Sequence, residues 1–484
     1  MDKKLTSVTQ RIKLIFCLAL AGLAVSGCSM FEPVTRQAEP LELPGHYKAL
    51  YTDADPGPGK WWQAFDSEAL NALVNQALSD NFDIKTALSK VRQAEASVQK
   101  AGATLFPTLG ASGSGKKEWQ QTKTGSSGRS SSESKVFSSG LSAGYELDLW
   151  GRLDALHTSQ ILAYEATRED LEAAAVTVAA DVATAWVEIL SLNRQIAILE
   201  KQIDMNQQML KLQKLRFLNG QADTLDVSQQ RESLAEARSS LPMLKQNKEQ
   251  QMTGLAVLLG QAGTFDFIPF ETGLPELIPL PDAGLPADLL AARPDVRAAG
   301  LRLKAMDWQV SAAKADRLPA LTLSADAAFS STTLDLLFSN WISTLAAAVT
   351  GPLFDGGHGK AEVDRARAEA DQYLTAYART VAEAVQEVTN SLIAEKRQAE
   401  YTGLLKEQLE ATRLTVKDAQ IQYMNGQDNY LSYLTAWTSV QRLERQLVDE
   451  QATQVKNRIA LYRTLGGDWT KTLINAEYPH VPTP

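Results

Sequence analysis

The chain of 484 residues is 44% hydrophobic and 22% charged, which is ordinary for a folded protein, and it is long enough for two or three average domains. Its net charge of −9 speaks against a nucleic-acid partner, which would need a basic face. The four histidines lie far apart, and neither a glycine-rich phosphate loop nor an elbow-type nucleophile motif is present. We therefore expect no catalytic residue, no metal site and no cofactor.

The N-terminus has the organisation of a secretory signal peptide. Lysines and arginines precede an apolar run from Leu14 to Val25, which is too short for a permanent transmembrane helix of about 20 residues. The following Ser26-Gly27-Cys28 resembles a bacterial lipobox, which implies that Cys28 becomes the lipidated first residue of the mature chain. A plain signal peptide with an incidental cysteine is the alternative. No later stretch approaches 18 apolar residues, so we expect any membrane-spanning part to be β.

Next in chain order, two helices separated near Asp80-Asn81 are predicted between Ser67 and Leu105, followed by two strands at about 108–115 and 136–149. The second strand alternates apolar odd-numbered residues with polar or small even-numbered ones, which is the period of a half-buried strand. The serine- and glycine-rich segment between them, 116–135, is predicted to be a polar hairpin loop.

A very long helix is predicted over about 152–218, since no proline or glycine interrupts the chain from Asp154 to Leu218. Its apolar residues recur in alternating steps of four and three, which is typical of coiled-coil packing. The helix is expected to end at Asn219-Gly220, with both residues accepting positive φ. A return helix over about 222–259 follows, and Pro242 should break or kink it.

The same order of elements then recurs. Leu218-Asn219-Gly220-Gln221 returns as Met424-Asn425-Gly426-Gln427, and Leu258-Leu259-Gly260 returns as Thr464-Leu465-Gly466, both 206 residues later. The second copy is predicted to contain a helix from Pro294 to Leu318, strands at about 320–329 and 341–351, a long helix at about 358–424 and a return helix at about 428–465.

This duplication defines the expected domain organisation. The predicted boundaries are a signal peptide at 1–27, a lipidated segment at 28–65, the first repeat at 66–260, a linker at 261–293, the second repeat at 294–466 and a tail at 467–484.

Four strands leave two open edges, which hydrocarbon cannot satisfy, and about eight strands make the smallest closed barrel. If these strands cross a membrane, several chains must pool them, and three chains would give twelve strands. The alternative is a pair of soluble hairpins packed on helices.

Several short motifs, taken together in their order and spacing, resemble the outer-membrane factor family of TolC-like channels, and within it the NodT-type efflux lipoproteins. They are the lipobox, Trp61-Trp62 with Phe65, Leu105-Phe106-Pro107-Thr108-Leu109, Asp148-Leu149-Trp150-Gly151-Arg152, Ala292-Arg293-Pro294-Asp295-Val296-Arg297 and Pro352-Leu353-Phe354-Asp355-Gly356-Gly357. The resemblance covers essentially all of the mature chain.

The resemblance implies a mainly α fold with membrane β-strands, in which three chains form a twelve-stranded barrel continued by a helical coiled-coil barrel. It also implies a passive, non-enzymatic exit duct of a tripartite efflux pump in the Gram-negative outer membrane. The expected partners are outer-membrane lipid, a periplasmic adaptor and a proton-driven inner-membrane transporter.

The resemblance assigns two kinds of site. The helix tips Asn219-Gly220 and Asn425-Gly426 would contact the adaptor. Residues just past the tips would narrow the periplasmic mouth, with Leu431 at the position of a hydrophobic constriction. Many relatives carry an Asp where this chain has Thr435, so the resemblance alone does not establish an acidic ring at this position. The candidate gate residues are Leu225, Asp223, Asp226, Asp428, Leu431 and Thr435. Read without the resemblance, acidic residues at a helix tip complement the helix dipole.

Two other functions stay open from the sequence alone. An exit duct of a type I protein secretion system belongs to the same class of channel. A non-conducting, lipid-anchored coiled coil of the envelope belongs to a different class, and heptads alone do not exclude it.

Overall fold

The computed structural model describes residues 31–33, 59–124, 128–263, 273–278, 280–281 and 292–470. The predicted signal peptide and Cys28 lie outside the described residues. After a short 3-10 helix at Trp61–Phe65, the first copy contains α1 (Glu68–Asp80), α2 (Phe82–Ala103), β1 (Thr108–Thr124), β2 (Gly128–Leu147), α3 (Arg152–Leu218) and α4 (Thr224–Leu258). The second contains α5 (Pro294–Ala315), β3 (Ala320–Ser331), β4 (Trp341–Thr350), α6 (His358–Met424) and α7 (Tyr430–Leu465).

The four strands form one antiparallel sheet in the order β1-β2-β3-β4. The central β2–β3 pairing joins the two copies, with Leu147 opposite Leu321 and Phe137 opposite Ser331. Among the residues that the structure describes, strands β1 and β4 each pair with only one strand, so both edges of the sheet are open.

The sequence prediction of a polar loop at 116–135 is wrong. β1 and β2 continue through this segment as a regular ladder, from Lys116 opposite Val136 to Thr124 opposite Gly128. The segment lacks an apolar face, so alternation of hydrophobicity could not reveal it as strand. Its pairing is carried instead by the backbone ladder and by polar cross-strand contacts such as Trp119 Nε1 to Glu133 Oε2 at 3.2 Å.

The ladder register sorts the sheet residues onto two faces. Odd-numbered residues share one face, which is mainly apolar and aromatic: Leu109, Phe137, Leu141, Tyr145, Leu147, Leu321, Leu323, Phe329, Trp341, Leu345 and Val349. Even-numbered residues share the other, which is mainly small and polar: Thr108, Ser112, Ser114, Ser138, Ser142, Glu146, Thr322, Ser324, Asp326, Ser330, Thr344 and Thr350. One face of the sheet is therefore mainly apolar and the other mainly polar.

Aspartates redirect the chain from sheet to helix in both copies. Asp148 accepts hydrogen bonds from the backbone N–H groups of Arg152 (2.7 Å) and Asp154 (2.8 Å), which satisfies the free N-terminus of α3. Asp355 accepts in the same way from Gly357 (2.9 Å) and Gly359 (2.8 Å) at the start of α6.

Helix α3 lies at the centre of the protein, where it packs against helices from both copies. One 18-residue window of α3 has a mean hydropathy of 1.6, so the sequence expectation that no apolar stretch of this length exists is wrong. Because 61% of that window is buried inside the structure, its hydrophobicity is explained by packing against neighbouring helices. Trp61, Trp62 and Trp186 belong to this main core.

Each return helix is followed by a glycine that lies close to the backbone of another segment of the same repeat. Gly260 lies against the end of α1, and Gly466 lies against Ala292, just before α5. Gly260 and Gly466 have φ of +72° and +80°. A Cβ on Gly260 would lie 2.2 Å from the carbonyl oxygen of Asp80, and one on Gly466 would lie 2.8 Å from that of Ala292. Both copies therefore require glycine at the end of the return helix, because only glycine fits both the backbone angle and the space.

Helix α4 continues through Pro242, so the predicted break is wrong, while the kink predicted as its alternative stays a prediction. Pro242 is exposed, and the carbonyl left without its helical N–H partner can be hydrated.

Candidate functional site

The ends of α3 and α6 farthest from the sheet form two tips with the same backbone geometry. At the first tip, Gln221 N–H donates to the Arg216 carbonyl at 2.8 Å, and at the second, Gln427 N–H donates to the Gln422 carbonyl at 2.9 Å. These six-to-one bonds define Schellman motifs, with Gly220 and Gly426 at φ of +71° and +70°.

Of the two residues at each tip, both of which accept positive φ, only the glycine adopts it. Asn219 and Asn425 have φ of −93° and −84°. In this motif only the residue after the helix cap enters the left-handed region, and glycine fills that position in both copies.

The return helices start with side-chain caps of different chemistry. Asp223 accepts a hydrogen bond from the N–H of Leu225 at 3.0 Å, while Asp226 accepts one from the N–H of Asp223 at 3.2 Å. These two acids therefore form a capping box. In the second copy Asn429 accepts from the N–H of Ser432 at 3.0 Å, and Asp428 accepts from the N–H of Asn429 at 2.7 Å.

Two leucines stand at equivalent positions of the two tips, each as the second residue of its return helix. Leu225 is 60% exposed and Leu431 is 50% exposed. Leu218 and Met424, the last residues of α3 and α6, are also exposed, at 77% and 68%, so each tip presents several apolar side chains to its surroundings. Thr435, one turn after Leu431, uses its hydroxyl to donate to the Leu431 carbonyl at 2.8 Å.

An aromatic cluster supports the second tip from behind. The ring centroids of Tyr423 and Tyr430 lie 5.3 Å apart, and those of Tyr430 and Tyr433 lie 5.9 Å apart. The guanidinium of Arg216, from the first copy, lies 4.6 Å from the centroid of Tyr423. Burial raises the pKa of both Tyr430 and Tyr433, so these phenols stay neutral hydrogen-bonding groups.

A seam of buried amide side chains connects the two copies behind the tips. Asn206 of α3 receives a hydrogen bond from Trp437 Nε1 at 3.1 Å and exchanges hydrogen bonds with Gln441 at 3.2 Å. Gln230 of α4 donates to the Asn206 carbonyl at 3.0 Å and accepts from the hydroxyl of Tyr430. The seam gives the two helix pairs one defined alignment, because each buried amide needs its partners.

Sequence reasoning missed this seam, although the heptads contained a signal for it. The apolar series that steps by seven through Leu192 and Leu199 continues at Asn206 and Gln213, both buried. Polar residues at a core heptad position commonly specify the alignment of helices.

Within the described ranges, no group of three or more His, Cys, Asp or Glu side chains could hold a metal ion. The tips therefore combine exposed leucines with the capping acids Asp223, Asp226 and Asp428, and a buried polar contact behind them joins the two helix pairs.

Comparison with known proteins identifies the chain. The family model for outer membrane efflux proteins matches residues 73–261 and 285–467, which covers both repeats. This chain belongs to the outer membrane efflux protein family. It is 30% identical over 462 residues to the pyoverdine export outer membrane protein OpmQ of Pseudomonas putida, covering 94% of this chain and 97% of the relative. It is 27% identical to the cation efflux system protein CusC of Escherichia coli, covering 94% and 98%.

Solved structures agree with this assignment. The outer-membrane channel OprN has a TM-score of 0.82 at 26% identity, covering 92% of this chain and all of that one. A structure of CusC has a TM-score of 0.81 at 26% identity, covering 91% and 100%. The efflux protein therefore has the mainly helical fold of TolC-like outer-membrane channels, and it functions in the outer membrane as the channel component of an efflux system. Its family is one of efflux ducts rather than enzymes.

Proposed function

We propose that three copies of the efflux protein assemble into one closed conduit, each contributing four strands to a twelve-stranded barrel. The observation that carries this proposal is the four-stranded sheet with both edges open. Unpaired backbone groups are too costly in hydrocarbon for an open sheet to cross the bilayer, and four strands cannot close on themselves. Pairing β1 of one copy with β4 of the next removes every edge.

The two faces of the sheet support the orientation of this barrel. The odd-numbered apolar face would contact lipid, and the even-numbered face of serines, threonines, Asp326 and Glu146 would line water. Helices α3 and α6 each have 67 residues, which at 1.5 Å per residue is about 100 Å. They would continue the conduit through the periplasm.

At the far end, Leu225 and Leu431 would narrow the mouth. Their equivalent positions in the two copies would place six leucines around the axis of a trimer, as a hydrophobic constriction. Asp223, Asp226 and Asp428 would place fixed negative charge at the same level, beside their capping role, while Thr435 holds the first turn of α7.

Asn219-Gly220 and Asn425-Gly426 would provide the contact surface for a periplasmic adaptor, because they are the outermost backbone of the two tips. A proton-driven inner-membrane transporter would supply the energy. The relatives named above serve pyoverdine export and cation efflux, which supports small solutes rather than secreted proteins as cargo. Lipidation at Cys28 would anchor the N-terminus in the membrane.

The trimer is tested by cross-linking between open edges. Ser112→Cys on β1 and Ala346→Cys on β4 lie on different edges of one sheet, with two strands between them. A short bismaleimide should join neighbouring copies and give covalent dimers and trimers but nothing larger. Ser112→Cys alone is the control. A ladder beyond three copies, or no product from membranes containing the double variant, would reject the assembly.

The lipid anchor is tested separately by metabolic labelling. Cys28→Ser should abolish palmitate incorporation while the channel still inserts, and Cys17→Ser, which changes the other cysteine, should leave labelling intact. Palmitate retained by the Cys28 variant would contradict lipidation at this residue.

A further inference from the structure

The β1–β2 hairpin extends well beyond the rest of the sheet. The last rung between β2 and β3 pairs Phe137 with Ser331, whereas β1 and β2 remain paired up to Thr124 opposite Gly128. In the part of the chain that the structure describes, the stretch of β1 from Lys116 to Thr124 therefore pairs with no strand except β2. At about 3.4 Å per residue these nine residues extend the ribbon by roughly 30 Å.

The projecting part of this hairpin has one basic face and one neutral face. Lys117 is opposite Lys135, and Lys123 is opposite Arg129, so all four cations share the odd-numbered face with one acid, Glu133. The even-numbered face has one cation, Lys116, and one acid, Glu118, among serines, threonine and glutamine. The formal charges are thus +3 and 0, in a chain whose net charge is −9.

The basic face continues the apolar face of the sheet. Phe137 and the rung of Phe329 opposite Trp341 belong to the odd-numbered face at the level where β3 and β4 end. Lys135 and Lys117 follow one rung further along this same face. If the apolar face contacts lipid tails, Lys117 and Lys135 lie immediately above an aromatic band, where the lipid headgroups begin, and Lys123 and Arg129 lie three rungs farther out on the same face.

The cations near the base of the hairpin are partly neutralised by the protein, and those near its end are not. Glu133 Oε1 lies 2.9 Å from Lys117 Nζ and 3.5 Å from Lys135 Nζ, and Glu133 also accepts from Trp119 Nε1 at 3.2 Å. Among the described residues, Lys123 and Arg129 form no ion pair, and both are exposed. Their charges are available to an external anion.

We propose that the basic face of the projecting hairpin binds the phosphate groups of lipid headgroups in the outer leaflet around the channel. The argument is charge complementarity combined with continuity: the cations share a face with the surface that contacts lipid tails, and not with the face that lines the pore. Each Lys or Arg near an anionic leaflet strengthens attachment by roughly fivefold. The proposal rests on the barrel orientation given under Proposed function.

The test uses purified full-length protein titrated with diphosphoryl lipid A and with its dephosphorylated form, with bound lipid counted by native mass spectrometry. Lys123→Gln/Arg129→Gln keeps the Glu133 cluster and should weaken lipid A binding by roughly ten- to thirtyfold. The matched control adds Thr122→Lys/Ser130→Lys, which restores the net charge on the opposite face through a directly paired rung. Binding should stay weak in this control.

Three outcomes would overturn the proposal: equal lipid A binding by the double variant, full recovery in the charge-moved control, or displacement of lipid A by an equal concentration of inorganic phosphate. The last would mean that the hairpin binds soluble anions. Oligomer mass and conductance are recorded on the same preparations. If the wild-type protein binds lipid A through this face but is not a conducting trimer, the proposed assembly is rejected. The proposed headgroup site is then still supported, because its evidence is the loss of binding in the double variant.

Discussion

The hydroxyl of Tyr423 donates a hydrogen bond to Oε1 of Gln213 over 3.2 Å, joining residues 210 positions apart in the chain. Tyr423 lies in the last turn of α6 and Gln213 is buried in α3, so this contact ties the tip of one copy to the long helix of the other.

This contact predicts an energetic coupling between the two copies. Tyr423→Phe and Gln213→Leu should each destabilise the helical part, but the double variant should lose less than the sum, with a coupling of about 1 kcal/mol. Urea unfolding followed by far-ultraviolet circular dichroism measures it. Gln208→Leu, which removes an exposed amide on the same helix, is the control. Strictly additive effects would show that the hydrogen bond does not couple the helix pairs.

The leucines at the tips predict the behaviour of the closed mouth. Leu431→Ala should raise the resting single-channel conductance several-fold, since it removes apolar bulk from the constriction, and adding Leu225→Ala should raise it further. Leu404→Ala provides a matched control, because Leu404 is 57% exposed on α6 and lies away from the tip. Unchanged conductance of an intact Leu431→Ala or Leu431→Ser assembly would remove this residue from the gate.

The close approach of Gly260 to the end of α1 predicts that a single added methyl group lowers the stability of the protein. Gly260→Ala should destabilise the protein by at least about 2 kcal/mol, because alanine at positive φ is strained and its Cβ would collide with the Asp80 carbonyl. The control is Gly254→Ala. Gly254 lies inside α4, and a Cβ there would meet no other atom, so this change should be neutral or stabilising by about 0.5–1 kcal/mol. Thermal unfolding of both variants measures the two changes in stability. Equal stability of the two would show that the close approach is not a constraint.

The pKa of Asp295 predicts a loss of stability in acid. Burial acts to raise the pKa of this carboxyl, but hydrogen bonds and charge from Arg293 outweigh it and hold the pKa below its ordinary value of 3.8. A carboxyl whose pKa is lowered by folding stabilises the protein above the unfolded-state pKa, and this contribution is lost as the pH falls through the folded-state pKa. Asp295→Asn should therefore lower the melting temperature at neutral pH and flatten its decline below about pH 4.

The control for this pH dependence is Asp204→Asn, which removes an exposed carboxylate whose hydrogen bond comes from Gln208. It should follow the wild-type melting curve at every pH. If Asp295→Asn declined in acid as steeply as the wild type, the contact of Arg293 with Asp295 would not be the source of the acid sensitivity.

The long helices, the tips and the duplicated order of elements follow from sequence patterns because each has a local cause. Coiled-coil steps run without proline or glycine up to Leu218, and glycine is the residue that the turn after it requires. The amide seam and the extended hairpin lack such a local cause. Asn206 is polar at a core position, and its partner Gln441 lies far away in the sequence. The strand residues around Gln120 have no apolar face, so only the cross-strand ladder defines them.

Assembly of three chains into one conduit is the claim on which the proposed function depends. The most direct measurement combines the mass of the purified, lipidated particle by native mass spectrometry with the current that it carries across a planar bilayer. We predict a particle of three chains that conducts in discrete single-channel steps. A single chain in detergent that stays electrically silent across the membrane would contradict the account.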